Sequence, residues 1–253
     1  MHSPRLIPVL LLAGRRLIKT RSFANPVYVG DPLNILRIFN DKEVDELVVL
    51  DVEASKRGAE PDFELIEELA TQCAMPLCFG GGIKTTQQAQ KMFHLGVEKV
   101  CVQNAALADA RLIRDLSSEF GSQAIVASID IKKRRLGGYR VFDAATGTAL
   151  QRDWKDHLQW LVVEGAGEVL LTSVDREGSM SGPDLNLIQQ ASALLEVPLV
   201  AHGGVGSLSD VDAALAAGAD AVAAGSFLVF HGPHRAVLIS YPKHPFSQVS
   251  IND

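Results

Sequence analysis

The chain has 253 residues, 47% of them hydrophobic and 21% charged, with a formal net charge of −6. That composition suits one large globular domain or two small ones and argues against a nucleic-acid surface, which needs an excess of positive charge. Cys73, Cys78 and Cys101 show no CxxC spacing, which fits a reducing compartment, no metal site and a cytoplasmic location.

In chain order, the first apolar run is Leu6–Leu12, just after Arg5. It has the look of a signal-peptide core, but no small-x-small cleavage site follows, and Arg15, Arg16 and Lys19 come next. A first core strand is the better reading. No run approaches the ~18 residues of a membrane span, so no membrane role is expected. Further strands are expected at Glu46–Asp51, Leu77–Phe79, Lys99–Val102, Ile125–Asp130, Glu168–Thr172, Leu199–His202 and Ala221–Ala224. Helical periodicity fills Thr86–Leu95, Asp109–Phe120 and Ser209–Ala217 between them. Such alternation predicts a parallel sheet of βα units, and eight units in ~250 residues is the size of a (β/α)8 barrel. A doubly wound open sheet also fits the alternation. "KKRR" (Lys132 to Arg135) reads as a solvated basic loop. After Phe230, "HGPHRAVLISYPKHPFSQVSIND" has three prolines and no helical period. An eighth outer helix is therefore missing, and either the tail covers the gap in extended form or a partner does.

An internal repeat favours the barrel. "MPLCFGGGIKTTQQAQKMFHLGVEKVCV" from Met75 resembles "VPLVAHGGVGSLSDVDAALAAGADAVAA" from Val197, an offset of 122 that also pairs Glu46 with Glu168. Two half-barrels of four βα units give eight strands that can close, leaving a single domain over residues 1–253 with no free sheet edge.

In such barrels, chemistry sits at the C-terminal ends of the strands. Gly81 and Gly82 follow the third strand, Gly203 and Gly204 the seventh, and Gly225 and Ser226 the eighth. Glycine loops let backbone N–H groups approach an anion, so two phosphate sites are expected to face each other across the mouth, fitting a phosphorylated small molecule. The bland alternative is tight turns alone. Asp51 and Asp130 end the second and fifth strands and should point into the mouth, near Thr172, Gly178 and the Asp175–Glu177 loop. Lys19, just past the first strand, is placed to reach a phosphate, and His202 ends the seventh strand. At the opposite end, Arg5, Glu46, Lys99 and Glu168 all begin strands and can meet as a ring of alternating charge. That ring is either a structural plug or a polar gate into the barrel axis.

The segments "RLIP", "DELVVLDVEAS", "FGGGI", "GVEKV", "FGSQAIVASID", "GAGEVLLTSVDREG" and "AGADAVAAGS" resemble HisF, the cyclase subunit of imidazole glycerol phosphate synthase. The resemblance covers nearly the whole chain. It implies a (β/α)8 barrel, no cofactor, and a glutaminase subunit (HisH) docked at the floor that sends ammonia up the axis to a bis-phosphorylated substrate. In that family two aspartates act as acid and base; Asp130 matches one, and the other falls on Leu11. The family's Asn–Thr pair at one phosphate is here Gln103–Asn104, and its serine after the seventh strand is His202. Arg5, Glu46, Lys99 and Glu168 match the family's charged gate, and Glu98 stands where an acidic docking residue is expected. Loss of a positioned acid/base typically costs ~10²–10⁴-fold in rate. An intact floor beneath a lost aspartate resembles the WbuZ-type branch tied to sugar amidation for lipopolysaccharide, as do "IPVLLL" and "FHGPHRAVLISYP". That branch implies a HisH-like glutaminase and an ATP-using sugar amidotransferase as partners. A genuine cyclase of histidine biosynthesis is the rival reading, and a HisA-type isomerase is a weaker third because it also needs a carboxylate on the first strand.

Overall fold

The computed structural model describes residues 4–109, 111–243 and 246. Eight parallel strands alternate with helices and close into a barrel. They are β1 (Arg5–Ala13), β2 (Leu47–Asp51), β3 (Leu77–Gly80), β4 (Lys99–Val102), β5 (Ile125–Lys133), β6 (Glu168–Ser173), β7 (Leu199–His202) and β8 (Ala221–Ala224). Each pairs with the next, and β8 returns to β1 with Arg5 beside Ala221 and Ile7 beside Ala223. Closure leaves none of the eight as an edge, and the open-sheet alternative is ruled out.

Side chains alternate across each strand. Along β1, Leu6, Leu10 and Leu12 join the main core between strands and helices, while Ile7, Val9 and Leu11 face the barrel interior with Val48, Cys78 and Val126. On β5 the same alternation sends Ile125, Ala127, Ile129 and Ile131 outward.

The repeat is visible in the hydrogen bonds. Asp31, Asp62 and Thr85 cap three helices of the first half; Asp153, Asp184 and Ser207, each 122 positions later, cap three of the second. A side-chain oxygen at each helix start satisfies backbone N–H groups that the helix leaves open. Glu98 accepts from Leu77 N at 2.7 Å, and Asp220 accepts from Leu199 N at 2.8 Å, again 122 apart. Glu98 therefore has a structural duty, clamping the start of β3.

Two features differ from the sequence reading. The helix expected over Asp109–Phe120 is present as Arg111–Phe120, but a short helix that was not expected, Asn104–Ala108, precedes it. Secondly, β1 and β5 both continue beyond the barrel into antiparallel excursions: Arg16–Arg21 with Ala24–Gly30, and Tyr139–Asp143 with Thr148–Ala149. The tail, as one of the two sequence readings had it, takes the extended form. After a four-residue helix, Ser226–Val229, Phe230–His231 pairs with Ala236–Val237. Leu238 N and Ser240 N then bond to Val229 O and Leu228 O, and Tyr241 Oη bonds to Leu6 O at 2.9 Å. Ile239, Tyr241 and Phe246 pack on the core where an eighth helix would lie. Of the tail from 231 on, positions 244–245 and 247–253 lie outside the described residues.

Candidate functional site

Glu46 and Glu168 occupy equivalent positions of the two half-barrels, just before or at the start of a strand, so they meet across the floor. Arg5 bonds to both carboxylates from one side. Lys99 Nζ bonds to Glu46 at 2.9 and 3.0 Å and to Glu168 at 2.9 Å from the other. The four residues from β1, β2, β4 and β6 thus close an alternating ring, with the carboxylates buried and the cations about a quarter exposed. Burial works against charge on Arg5 and Lys99, but the carboxylates outweigh it and raise both pKa values; for Glu168 burial is likewise outweighed, by Lys99 and Arg5, and its pKa falls. All three stay charged at neutral pH.

Above the ring the interior is apolar: Ile7, Val9, Val48, Cys78, Val126 and Ala221. At the C-terminal end it opens into a cavity of about 480 Å³. The ends of β1 and β2 and the first excursion supply one wall, Leu11, Ile18, Phe23, Tyr28, Leu50 and Val52, interspersed with Arg16, Thr20, Glu53 and Lys56. The opposite wall is polar, from Gln103, Asn104, Ser128, Asp130, Thr172 and His202. The sequence-derived candidates Asp51, Gly81 and Gly82 also line it.

Asp130 is buried and bonded by Gln103 Nε2. Burial pushes its pKa up to about 7 against the hydrogen bonds of Gln103 and Thr172, with Glu177 and Asp143 adding to the rise. Asp130 thus exchanges a proton near neutral pH, as a general acid or base must. Its counterpart across the cavity, Leu11, is 6% exposed and offers only hydrocarbon. His202 shares a hydrogen bond of 3.2 Å with Thr172 Oγ1; burial, aided by the charge of Lys19, pulls it down to about 4, so it is neutral.

Beside the main cavity, a niche of about 20 Å³ is lined by Lys19, Gly178, Gly203, Gly204, Gly225 and Ser226. It has room for about one water. Lys19 lies buried with its ammonium on Val9 O, and a Cβ on Gly225 would sit 2.7 Å from Nζ. Burial pulls Lys19 down to about 8 against the attraction of Glu177. Ser226 Oγ is buried with no hydrogen-bond partner among the described residues. The glycine loops make close backbone contacts: a Cβ on Gly81 would meet Asp51 O at 2.4 Å. Tight packing thus accounts for these glycines by itself, and a phosphate role would be additional.

Other candidates are partly engaged within the fold. Asp51 Oδ1 accepts from Glu53 N and Ala54 N, and Asn104 Nδ2 donates to Asp143. Asp175 accepts from Lys133 N. Sequence reasoning placed Glu177 only on the rim, yet it fastens the first excursion to the loop after β6. Thr20 Oγ1 donates to one of its oxygens at 2.9 Å and Phe23 N to the other at 3.0 Å. Phe23 and Tyr28 were missed as lining residues because the Arg16–Gly30 excursion was not foreseen. Its signal was there: two short runs of alternating character around a Ser-Phe-Ala-Asn turn.

The profile of the family described as "Histidine biosynthesis protein" matches residues 5–234. A protein of Pseudomonas aeruginosa, provisionally named imidazole glycerol phosphate synthase subunit hisF2, is 50% identical over 239 residues, covering 94% of this chain and 95% of its own. The chain belongs to the HisF family. A provisionally named HisF of Leptospira borgpetersenii is 45% identical over 247 residues, 96% of each chain. The HisF subunit of imidazole glycerol phosphate synthase from Dictyoglomus thermophilum, named without that reservation, is 38% identical over 231 residues, 91% of each. Among the described residues of this HisF-family barrel, no helix is long and apolar enough to cross a membrane.

Proposed function

We propose that this HisF-family barrel conducts ammonia and does not itself consume it. It takes ammonia from a HisH-like glutaminase docked at the charged floor and delivers it to an ATP-using amidotransferase that amidates a sugar for surface polysaccharide. Leu11 carries the reading. A cyclase with one positioned carboxylate at Asp130 and hydrocarbon at the opposing position has lost half of its acid/base pair. The ring of Arg5, Glu46, Lys99 and Glu168 and the apolar axis above it are complete, which suits passage of a small neutral molecule. The relatives add support: those provisionally named share 42–50% identity, against 38% for the Dictyoglomus thermophilum HisF named without that reservation.

The rival is a genuine cyclase of imidazole glycerol phosphate synthase, and Asp130 favours it by keeping a pKa near 7. A turnover assay decides. Purified chain with ammonium and the bis-phosphorylated substrate of that synthase is expected to show no turnover above background, while a HisH-like glutaminase binds it and hydrolyses glutamine faster. Turnover within tenfold of an ordinary HisF would sink the proposal, and so would failure of the glutaminase to bind. The phosphate-site residues Lys19, Asp51, Gly81, Gly82, Asn104, Thr172, Gly178, Gly203, Gly204, Gly225 and Ser226 then frame a residual ligand site, checked by isothermal titration with inorganic phosphate.

A further inference from the structure

The two excursions that leave β1 and β5 carry a charge unlike the rest of the molecule. Residues 14–30 and 131–149 hold nine of the chain's 24 Lys and Arg and one, Asp143, of its 30 Asp and Glu. Lys19 is buried, and Arg15 is tied to Asp62, Glu64 and Glu68 on the flank. Arg16, Arg21, Lys132, Lys133, Arg134 and Arg135 are exposed and make no ion pair among the described residues. The excursions touch through Phe23 and Phe142, whose ring centroids are 6.1 Å apart. Apolar side chains also project from this basic ground: Leu136, 99% exposed at the tip of the second excursion, and Tyr28 and Val27, 59% and 53% exposed on the first. Together with the exposed cations of the same excursions, these three apolar side chains give the face both charge and apolar contact to offer a partner.

The position of this surface narrows its partner. Arg16, Phe23 and Tyr28 line the mouth cavity from the first excursion, and Ala144 and Ala145 line it from the turn of the second. Whatever settles on the excursions therefore covers the opening of the cavity. We propose that the excursion face is the docking surface for the amidotransferase that accepts the ammonia, through an acidic face on that enzyme with an apolar socket for Leu136. The inference rests on the ammonia-conducting reading above. It adds a physical requirement of that reading: ammonia released into water is protonated and ceases to be a nucleophile, so the exit must be sealed against the acceptor's active site. A protein cap meets that need. Opposite charge across the seam speeds encounter and fixes orientation, and makes binding depend on salt.

The test uses the full chain, its HisH-like glutaminase and the ATP-using amidotransferase of the same organism, with binding read by biolayer interferometry. Leu136→Asp and the triple variant Lys133→Glu, Arg134→Glu, Arg135→Glu are each expected to weaken amidotransferase binding by about tenfold or more. Wild-type binding should weaken by a similar factor between 50 and 300 mM salt, and both variants should hold the glutaminase as wild type does. If wild type binds the amidotransferase and both variants match it, the docking surface lies elsewhere and the inference falls while the proposed function stands. If wild type does not bind it at all, the proposed function itself fails and takes the inference with it. Loss of binding to phosphatidylglycerol–phosphatidylcholine vesicles in the variants, without loss of amidotransferase binding, overturns the inference in favour of a membrane contact.

Discussion

Asp130 and His202 line one polar wall, and burial moves them in opposite directions along the pH scale. Asp130 has a folded pKa of about 7 against an ordinary 3.8, so the fold favours its protonated form. Its contribution to stability is complete below the unfolded value and is lost as pH rises to about 7. His202, at about 4 against an ordinary 6.5, is favoured neutral, and its contribution is lost as pH falls from 6.5 through 4. Asp130→Asn removes the first effect and leaves the second. The variant is expected to gain up to about 4 kcal/mol over wild type at pH 8, with the gain vanishing near pH 4. Urea midpoints at the two pH values check this, and an equal change at both would show that Asp130 is ionised without penalty. Asp130 was legible in the sequence because it ends a strand. Its pKa was not, because burial and the bond from Gln103 come from neighbouring strands.

At the scale of the elements, loops were the least legible and the most informative. The glycines after the third and seventh strands read as anion cradles, with tight turns as the bland alternative. The structure gives them at least the second duty. Gly204 has φ +99°, and a Cβ there would sit 2.3 Å from Gly182 O. Gly137, in the exposed basic turn, has φ +91° with nothing within 4 Å. Gly204→Ala is therefore expected to cost more than ~3 kcal/mol, because backbone must move as well as strain. Gly137→Ala meets strain alone, about 1 kcal/mol. Thermal unfolding of the two variants separates them, and similar costs would mean that the Gly204 loop moves freely. The tail makes a second case. Deleting residues 238–253 removes the Tyr241 bond to Leu6 O and uncovers the core under Ile239, Tyr241 and Phe246. At roughly 1 kcal/mol for each partly buried side chain, Tm should fall by on the order of 10 °C. An unchanged Tm would assign the tail no structural share.

Across the whole molecule, the charged ring ties four strands from both half-barrels at one point. Glu168→Gln leaves Arg5 and Lys99 sharing Glu46 alone, and the loss should be about 3 kcal/mol. Because the carboxylates are buried, added salt should change that loss little. Arg15, exposed beside Asp62, Glu64 and Glu68, is the contrast: Arg15→Ala should have a small effect that salt erases. Denaturant curves at 0.05 and 0.5 M sodium chloride measure both, and strong salt dependence for Glu168→Gln would show the ring to be open to solvent. The ring also lends an acid limit, because the lowered pKa of Glu168 makes its contribution disappear as pH falls below the usual carboxylate range.

The sequence by itself determined the eight strands, the 122-residue repeat and hence the barrel, because strand alternation, helical period and a repeated motif are all written along the chain. It also put Leu11 and Asp130 at corresponding strand ends. Only the tertiary structure decided what those residues meet. Closure of β8 on β1 set Leu11 in one cavity with Asp130, drew Arg5 and Lys99 onto both glutamates, and turned Lys19 inward onto Val9 O. It also folded two unforeseen excursions at the mouth, the first held by Glu177 from a loop more than 150 positions away. Burial and pairing are properties of distant segments brought together, and they set the charge of each group.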